Sequence, residues 1–453
     1  MKKSNSIFIL LIMAFLSVSF FACQKPTLYQ ITFDSMGGTP VKPIVAKYHQ
    51  DIDEPNEPAK NDIEFFDGWY TEQTYQSAYV FDTMPKSNLT LYAKWKDIEL
   101  TDDPIHLIFW THEKHERLAL INDYVAEFEA LYPQITIEVV SHFDSPSGVG
   151  SALSTTFDYP NLIQLEPNYM QSIHKSLMIL DPYIQNKTWG LHDDMEIDDI
   201  ILSFREEYQQ FDVEKHYYGL PFSISAEVML YNKTAFDAIE KEPPKTWQEL
   251  MALAPDLNQY GTQFHDANQV IPAIYNQPGH AFITMIEQFD GEYIGYHMDI
   301  DKGEMLFHDD ANALSALNFM KEMRDVLSFP GFSSSVIYGS EFKEQHTFLF
   351  LDSSSYIKWN TPPIDLDTNE PVFELGAAPI PYHEDMEAYQ AVLQSGNGIS
   401  INKNKSIQER LASWLFLKFV TNQENTARWS MITGNIPVRY RAIESQVYQD
   451  FLN

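Results

Sequence analysis

The chain changes rhythm once, near Pro104, and that break limits what it can fold into. Downstream of it, over about 350 residues, buried-type strands alternate with segments of helical period. Ile105 to Trp110 reads as a buried-type strand. Leu118, Ile121, Val125 and Phe128 then recur at helical spacing until Pro133 ends the helix, and Ile135 to Val140 forms a second strand. The three elements make a βαβ unit. Thr246 with Glu249, Ser406 with Glu409 and Thr421 with Glu424 have capping-box spacing and mark further helix starts, and Gly434 is placed to end the last helix. Alternation sustained this far predicts an α/β fold, and a body from residue 104 to 453 is long enough to favour two lobes over one.

Residues 27–97 keep a different pattern. Tyr29, Ile31 and Phe33 alternate, Gly37-Gly38 supplies a turn, and Leu89, Leu91, Ala93 and Trp95 alternate again, which predicts short antiparallel strands. A module this small must bury its large aromatics, so Gly68-Trp69-Tyr70 and Trp95 are read as core. Residues 98–103 form a polar linker. Ahead of the module, Lys2 and Lys3 precede an apolar run from Ile7 to Ala22. That run falls short of the roughly 20 residues a bilayer span needs, and residues 1–22 read as a signal peptide. No other stretch is apolar enough to span. Cys23 is the single cysteine, which excludes internal disulfides, CxxC chemistry and cysteine-based zinc sites.

Charge narrows the function further. The chain carries 64 Asp and Glu against 30 Lys and Arg, a net charge of −34, with no basic run of the kind that holds nucleic acid. The acidic excess makes paired catalytic carboxylates easy to imagine, yet no spacing selects a pair, and no GxSxG, P-loop or GxGxxG element is present. "THEKHE" is one residue short of the spacing that would put His112 and His115 on one helix face, so a metal site built on them and Glu116 is set aside. "DIDKGE", Asp299 to Glu304, lacks the register of a calcium loop and reads as a hairpin turn. Neither an enzyme nor a bound metal or cofactor is expected.

Three stretches resemble known families. The small Ala22 before Cys23 resembles the lipobox of bacterial lipoproteins, with Phe20 departing from the usual Leu. That implies a lipidated Cys23 as the first mature residue, residues 23–26 as a tether, and a protein held at the outer face of the cell membrane. "ITFDSMGG", "FFDGWY" and "LTLYAKW" resemble the Listeria-Bacteroides repeat, a small β-grasp-like module, and imply a spacer or adhesion role. From Pro104 to Arg441 the marks are "IHLIFWTHEKHERLALINDYVAEFEALYPQITIEVV", "YPNLIQLEPNYMQSI", "LMILDPYI", "YGLPFSISAEVMLYNKTAF", "PPKTWQEL", "GAAPIPY", "NGISINK", "WLFLKFVTNQENTARW" and "TGNIPVR". Their order resembles the extracellular solute-binding proteins of ABC importers, the group that takes sugars and glycerol phosphates. This implies a two-lobed periplasmic-binding-protein-like fold that closes at a hinge around a sugar or oligosaccharide and hands it, as a monomer, to an ABC permease.

The resemblance also implies where the site lies. Lobe crossings are expected near Phe222 to Val228, near Gln394 to Ile399 and after Trp429. Ser223 and Ser225 are two apart on an extended segment, so both hydroxyls face one side, for ligand hydroxyls or for padding the hinge. Gly396, beside Asn397, allows either close approach of a ligand or a turn. His112 and Glu113 follow the first strand at the carboxyl edge of the sheet, where ligands settle in α/β folds, although Glu113 also suits the following helix N-terminus. Glu166 and Tyr169 are further first-lobe candidates. In the second lobe, Asp352, Ser353, Ser354, Ser355, Tyr356 and Trp359 align with a segment supplying hydroxyls and a sugar-stacking aromatic, with Tyr356 and Trp359 equally suited to a core. Asn435 and Arg439 follow in the C-terminal loop. Two other functions stay open: a glycerol-phosphate receptor, whose relatives extend past "TGNIPVR" with basic residues, and a surface adhesin without a transport role.

Overall fold

The computed structural model describes residues 27–141, 146–153, 159–297, 302–324, 326–328 and 339–452. The leader and Cys23 lie outside the described residues. The chain divides into two compact units, the second beginning at Leu100, within the segment 98–103 read as a linker.

The first unit is a four-stranded sheet of β1 (Leu28–Asp34), β2 (Ile44–Lys47), β3 (Glu64–Tyr70) and β4 (Leu89–Asp97), in the order β2-β1-β4-β3. The strands fall where the alternation places them. One pairing differs from the expected antiparallel set: β1 and β4 run parallel, Phe33 opposite Leu91, because the intervening chain carries β3 to the far side of β4. Ile31, Trp69, Met84, Leu91 and Ala93 are sealed from solvent, and Phe33 packs with its ring centroid 4.7 Å from that of Trp69. Each such large apolar side chain contributes roughly 1.5–3 kcal/mol on burial. Trp95 is half-buried and donates its indole N–H to the Ser35 carbonyl at 3.1 Å.

The second unit is organised by one sheet path, β12-β9-β13-β8-β15-β7-β5-β6, with β14 also on β8. β5 (Ile105–Trp110), β6 (Ile135–Val140) and β7 (Leu162–Leu165) are parallel, and helix α1 (His115–Leu131) connects β5 to β6, which is the expected βαβ unit. β8 (Leu220–Asn232) is shared by two lobes. Its first half pairs antiparallel with β15 (Gln394–Ile401), beside β7. Its second half pairs with β13 (Thr347–Ser353) and β14 (Leu375–Ala378), beside β9 (Ile271–Tyr275) and β12 (Leu327–Ser328). The changeover falls between Ala226, opposite Gln394, and Glu227, opposite Ser353. Each half has its own core. Leu107, Phe109, Phe128 and Phe416 lie on the first side, and Trp247, Leu257, Met285, Phe348 and Leu351 on the second. β10 (Ile294–His297) and β11 (Lys302–Met305) pair antiparallel on either side of "DIDKGE", and residues 298–301, where the hairpin turn is expected, lie outside the described residues.

Capping boxes close at Thr246 with Glu249 and at Ser406 with Glu409. The third does not form. Thr421 turns its hydroxyl back to the Leu417 carbonyl, and Asn422 caps the helix Gln423–Thr433 by accepting from the Asn425 N–H at 2.7 Å. Gly434 ends that helix in the left-handed conformation, φ +75°, but two short helices, Tyr440–Glu444 and Gln446–Leu452, follow it. Nor does the chain cross lobes after Trp429: the Ile436 N–H bonds the Ile224 carbonyl on β8 at 2.8 Å, and Arg439 then bridges Ile200 on the first side. No helix among the described residues is long and apolar enough to cross a membrane.

Candidate ligand-binding site

A cavity of about 210 Å3 lies at the changeover of β8, walled by both lobes. Its floor follows from strand periodicity. Ser223, Ser225 and Glu227 occupy alternate positions on β8 and present one face, and on β15 Ser395 and Asn397 do the same across the ladder. Ser225 donates to the Ser395 carbonyl at 3.2 Å, which ties the two strands together. Gly396 is required by proximity, since a Cβ there would stand 2.2 Å from the Ser223 carbonyl oxygen.

The first lobe brings His112 and Glu113 from the loop at the carboxyl end of β5, and Glu166 from the end of β7. The Glu113 carboxylate is 3% exposed and accepts from Gln164 Nε2 at 2.9 Å, while Arg117 Nη1 stands 3.7 Å away. Gln164 is itself held by the Thr111 hydroxyl, so a buried chain of donors fixes the carboxylate. Burial lowers the His112 pKa below the ordinary value, against the opposing pull of Glu113, and its Nδ1 has no hydrogen-bond partner among the described residues. Burial raises the Glu166 pKa, partly offset by the Asn168 side chain.

The second lobe supplies Ser353, Ser355 and Tyr356 from the end of β13 and the following 3-10 turn, and Gln277 and His280 from the start of the helix Pro278–Gln288. Glu227 is 4% exposed and accepts from the Tyr275 hydroxyl, from Thr284 Oγ1 at 3.3 Å and, through its other oxygen, faces His280 Nδ1 at 3.2 Å. Asn435, after Gly434, closes the rim. Asn397 Oδ1 and Asn435 Oδ1 are buried with no partner among the described residues. A second chamber of about 720 Å3 adjoins the first and shares Glu166, Leu393, Ser395 and Gly396 with it. Glu207, Phe211, Ile283, Glu287 and Tyr293 are among its walls.

Eleven of the fourteen residues expected at the site therefore line one cavity: His112, Glu113, Glu166, Ser223, Ser225, Ser353, Ser355, Tyr356, Gly396, Asn397 and Asn435. Three do not. Tyr169 packs on the first-lobe core around Met170 and Leu165. Trp359 is 63% exposed, off the cavity, with the Lys358 ammonium 5.9 Å from its ring. Arg439 is fully buried and bonds the Thr421, Met195 and Glu196 carbonyls and the Asp199 carboxylate. Asp352 and Ser354 are buried behind the wall, where Asp352 accepts from Asn276 at 3.0 Å. Glu227, Gln277, His280 and Arg117 were not foreseen. Only Glu227 had a visible signal, as the next alternate position after Ser223 and Ser225.

His112, His115 and Glu116 do not gather: Glu116 pairs across the cleft with Lys358. Among the described residues, Asp212, Glu214 and His216 come close enough to hold an ion, but His216 and the Tyr218 hydroxyl already bond Asp212 at 2.7 and 2.8 Å.

Residues 123–451 match the family described as bacterial extracellular solute-binding protein, and residues 29–94 match the Listeria-Bacteroides repeat domain. The chain is 26% identical over 340 residues to the maltotriose-binding protein of Pyrococcus abyssi, covering 73% of this chain and 66% of that protein. It is 25% identical over 246 residues to the sn-glycerol-3-phosphate-binding periplasmic protein UgpB of Escherichia coli K12, 52% of each. A segment of 85 residues is 36% identical to a putative Gly-rich membrane protein of Evansella cellulosilytica, covering 18% of this chain and 10% of that one. The chain thus spans less than two thirds of the length of each of these relatives. Among solved structures, the sugar-binding protein MalE from Xanthomonas citri aligns with a TM-score of 0.61 at 18% identity over 76% of this chain and 82% of that one. UgpB from Mycobacterium tuberculosis in complex with glycerophosphocholine aligns with a TM-score of 0.59 at 19% identity, over 78% and 83%. At these identities the likeness establishes the two-lobed α/β fold and stops there.

Proposed function

This chain belongs to the bacterial extracellular solute-binding proteins, and from that membership we propose that it captures a sugar or oligosaccharide outside the cell and delivers it to the permease of an ABC importer. The observation that carries the reading is the polar cavity at the β8 changeover, where both lobes contribute hydroxyl, carboxamide and carboxylate groups and three buried polar atoms, His112 Nδ1, Asn397 Oδ1 and Asn435 Oδ1, lack partners among the described residues. Buried polar groups left unpaired cost about 1–3 kcal/mol each, and a polyhydroxylated ring offers donors and acceptors to all three. At about 210 Å3 the inner cavity is below the roughly 300–1,000 Å3 of drug-sized sites, which suits one ring, and the adjoining chamber leaves room for more.

The protein binds without converting its ligand. Glu113 and Glu227 are tied by internal donors, which makes them fixed acceptors rather than groups poised to move a proton. Glycerol phosphate is disfavoured, because Glu113, Glu166 and Glu227 line the cavity against a single guanidinium, Arg117. Cys23 carries the lipid anchor, the repeat module spaces the body from the membrane, and the receptor works as a monomer without a cofactor. The test is a thermal-shift and calorimetric screen of the lipid-free protein against sugars, oligosaccharides and phosphates. A ligand at 100 times its dissociation constant adds about 2.7 kcal/mol of stability. Shifts from phosphates with none from sugars would overturn the sugar reading, and Cys23→Ser protein that stays with the membrane would overturn the anchor.

A further inference from the structure

Carboxylates outnumber basic side chains in the lining of the cleft. Glu113 from one lobe and Glu227 from the other are both more than nine-tenths buried, Glu166 joins them, and Glu207 and Glu287 extend the series into the outer chamber. Arg117 is the one Lys or Arg among the described lining residues, and it leans on Glu113 at 3.7 Å. His112 is kept neutral by burial, and His280 faces Glu227. Behind the wall Asp352 adds another buried carboxyl beside Glu227, next to its ladder partner Ser353.

A second feature points the same way. Asn397 Oδ1 and Asn435 Oδ1, on side chains more than nine-tenths buried in the inner cavity wall, are acceptors without a donor among the described residues. The wall is therefore rich in acceptors. A hydroxyl brings one donor and is equally an acceptor, whereas an ammonium brings three donors, no acceptor, and a charge. Lobe closure drives water out, and carboxylates stripped of water need a cation or strong donors. A charge-assisted hydrogen bond from an ammonium supplies both.

We propose that the ligand is an amino sugar whose protonated amine sits between Glu113 and Glu227. This rests on the sugar-receptor reading above and narrows it. Phosphorylated sugars and uronic acids are excluded by the same carboxylates. A mostly acidic cleft on a chain of net charge −34 also draws the cation in, so capture slows as salt rises.

The test is calorimetric titration of the wild-type protein with sugars paired so that only one substituent differs: amine against hydroxyl against N-acetyl, for glucose, galactose and mannose and their short oligomers. The expected result is at least tenfold tighter binding of the amine than of its hydroxyl partner at pH 7, with the margin shrinking several-fold between 20 mM and 500 mM salt. Glu113→Gln and Glu227→Gln should each cost the amine at least tenfold and cost the hydroxyl sugar several-fold less, so that the preference for the amine shrinks; equal losses for the two sugars would overturn the inference. Should either variant fail to fold, the salt dependence of the wild type carries the same information. Neutral sugars binding as tightly as their amines would overturn this inference while leaving the receptor reading intact. Failure of every sugar in the panel would overturn both.

Discussion

Arg439 separates a ligand contact from a structural one, and Arg439→Met tests the difference. The guanidinium is fully buried, donates to the Met195 and Glu196 carbonyls at 3.2 Å each and to Thr421, and stands 3.3 Å from Asp199 Oδ2. Asp199 keeps one other donor, the Arg441 N–H at 3.0 Å. Methionine fills similar volume but leaves a buried carboxylate without its countercharge, and breaking such a pair costs about 3–5 kcal/mol. The freed carbonyls add to this, though not additively. At about 2.1 cal/mol/K of unfolding entropy per residue, a body of about 350 residues loses about 1.4 °C per kcal/mol, so a fall of roughly 4–7 °C is expected, and somewhat more with the freed carbonyls. Arg439→Lys keeps the charge but loses the fork and should fall in between. Circular dichroism melting reads the loss, and titration of the folded variant reads affinity, which should stay within about threefold. An unchanged melting temperature with a tenfold weaker ligand would refute the argument and return Arg439 to the site.

Gly396→Ala should lower both the melting temperature and affinity, because its Cβ meets the Ser223 carbonyl oxygen at 2.2 Å and Ile224 Cα at 2.8 Å and forces the β8–β15 ladder apart; a variant equal to wild type in both would sink this account of the hinge. Tyr356→Ala should weaken the bound sugar by about fivefold or more, the loss of roughly 1 kcal/mol of contact, while Trp359→Ala, off the cavity, changes it by less than twofold in the same titration. His112 gives a pH test. Its unfolded imidazole titrates near pH 6.5 and burial lowers the folded pKa, so the unfolded state takes the proton first and the stability contribution, full above about pH 6.5, is lost as pH falls below it. Denaturant titrations of wild type and His112→Gln between pH 7.5 and 5 should diverge toward acid, with the variant flatter; parallel curves would contradict the burial.

What the sequence shows of this molecule is what local physics decides. The β5, α1 and β6 segments are legible because apolar period alone separates strand from helix, and Thr246 and Ser406 because a capping box closes within four residues. Thr421 misleads because its neighbour Asn422 competes for the same cap and the preceding helix takes the threonine hydroxyl. The parallel β1–β4 pairing is set by residues nearly sixty positions apart, which no local pattern encodes. The site divides along the same line. Ser223 and Ser225 declare themselves by strand period, and Glu227 belongs to the same series, but whether that series still faces the cleft depends on where β8 exchanges β15 for β13. His280 and Gln277 reach the cavity only because the helix Pro278–Gln288 docks beside that exchange. Arg439 looked like a ligand group because its partner, Asp199, lies 240 residues away. One strand shared between two sheets therefore does two things at once: it is the mechanical link between the lobes, and its alternate side chains are the cavity floor. A change in the angle between its halves must move Ser225 relative to Glu227, and a ligand held by both, as proposed above, would resist that change and so couple occupancy to lobe closure.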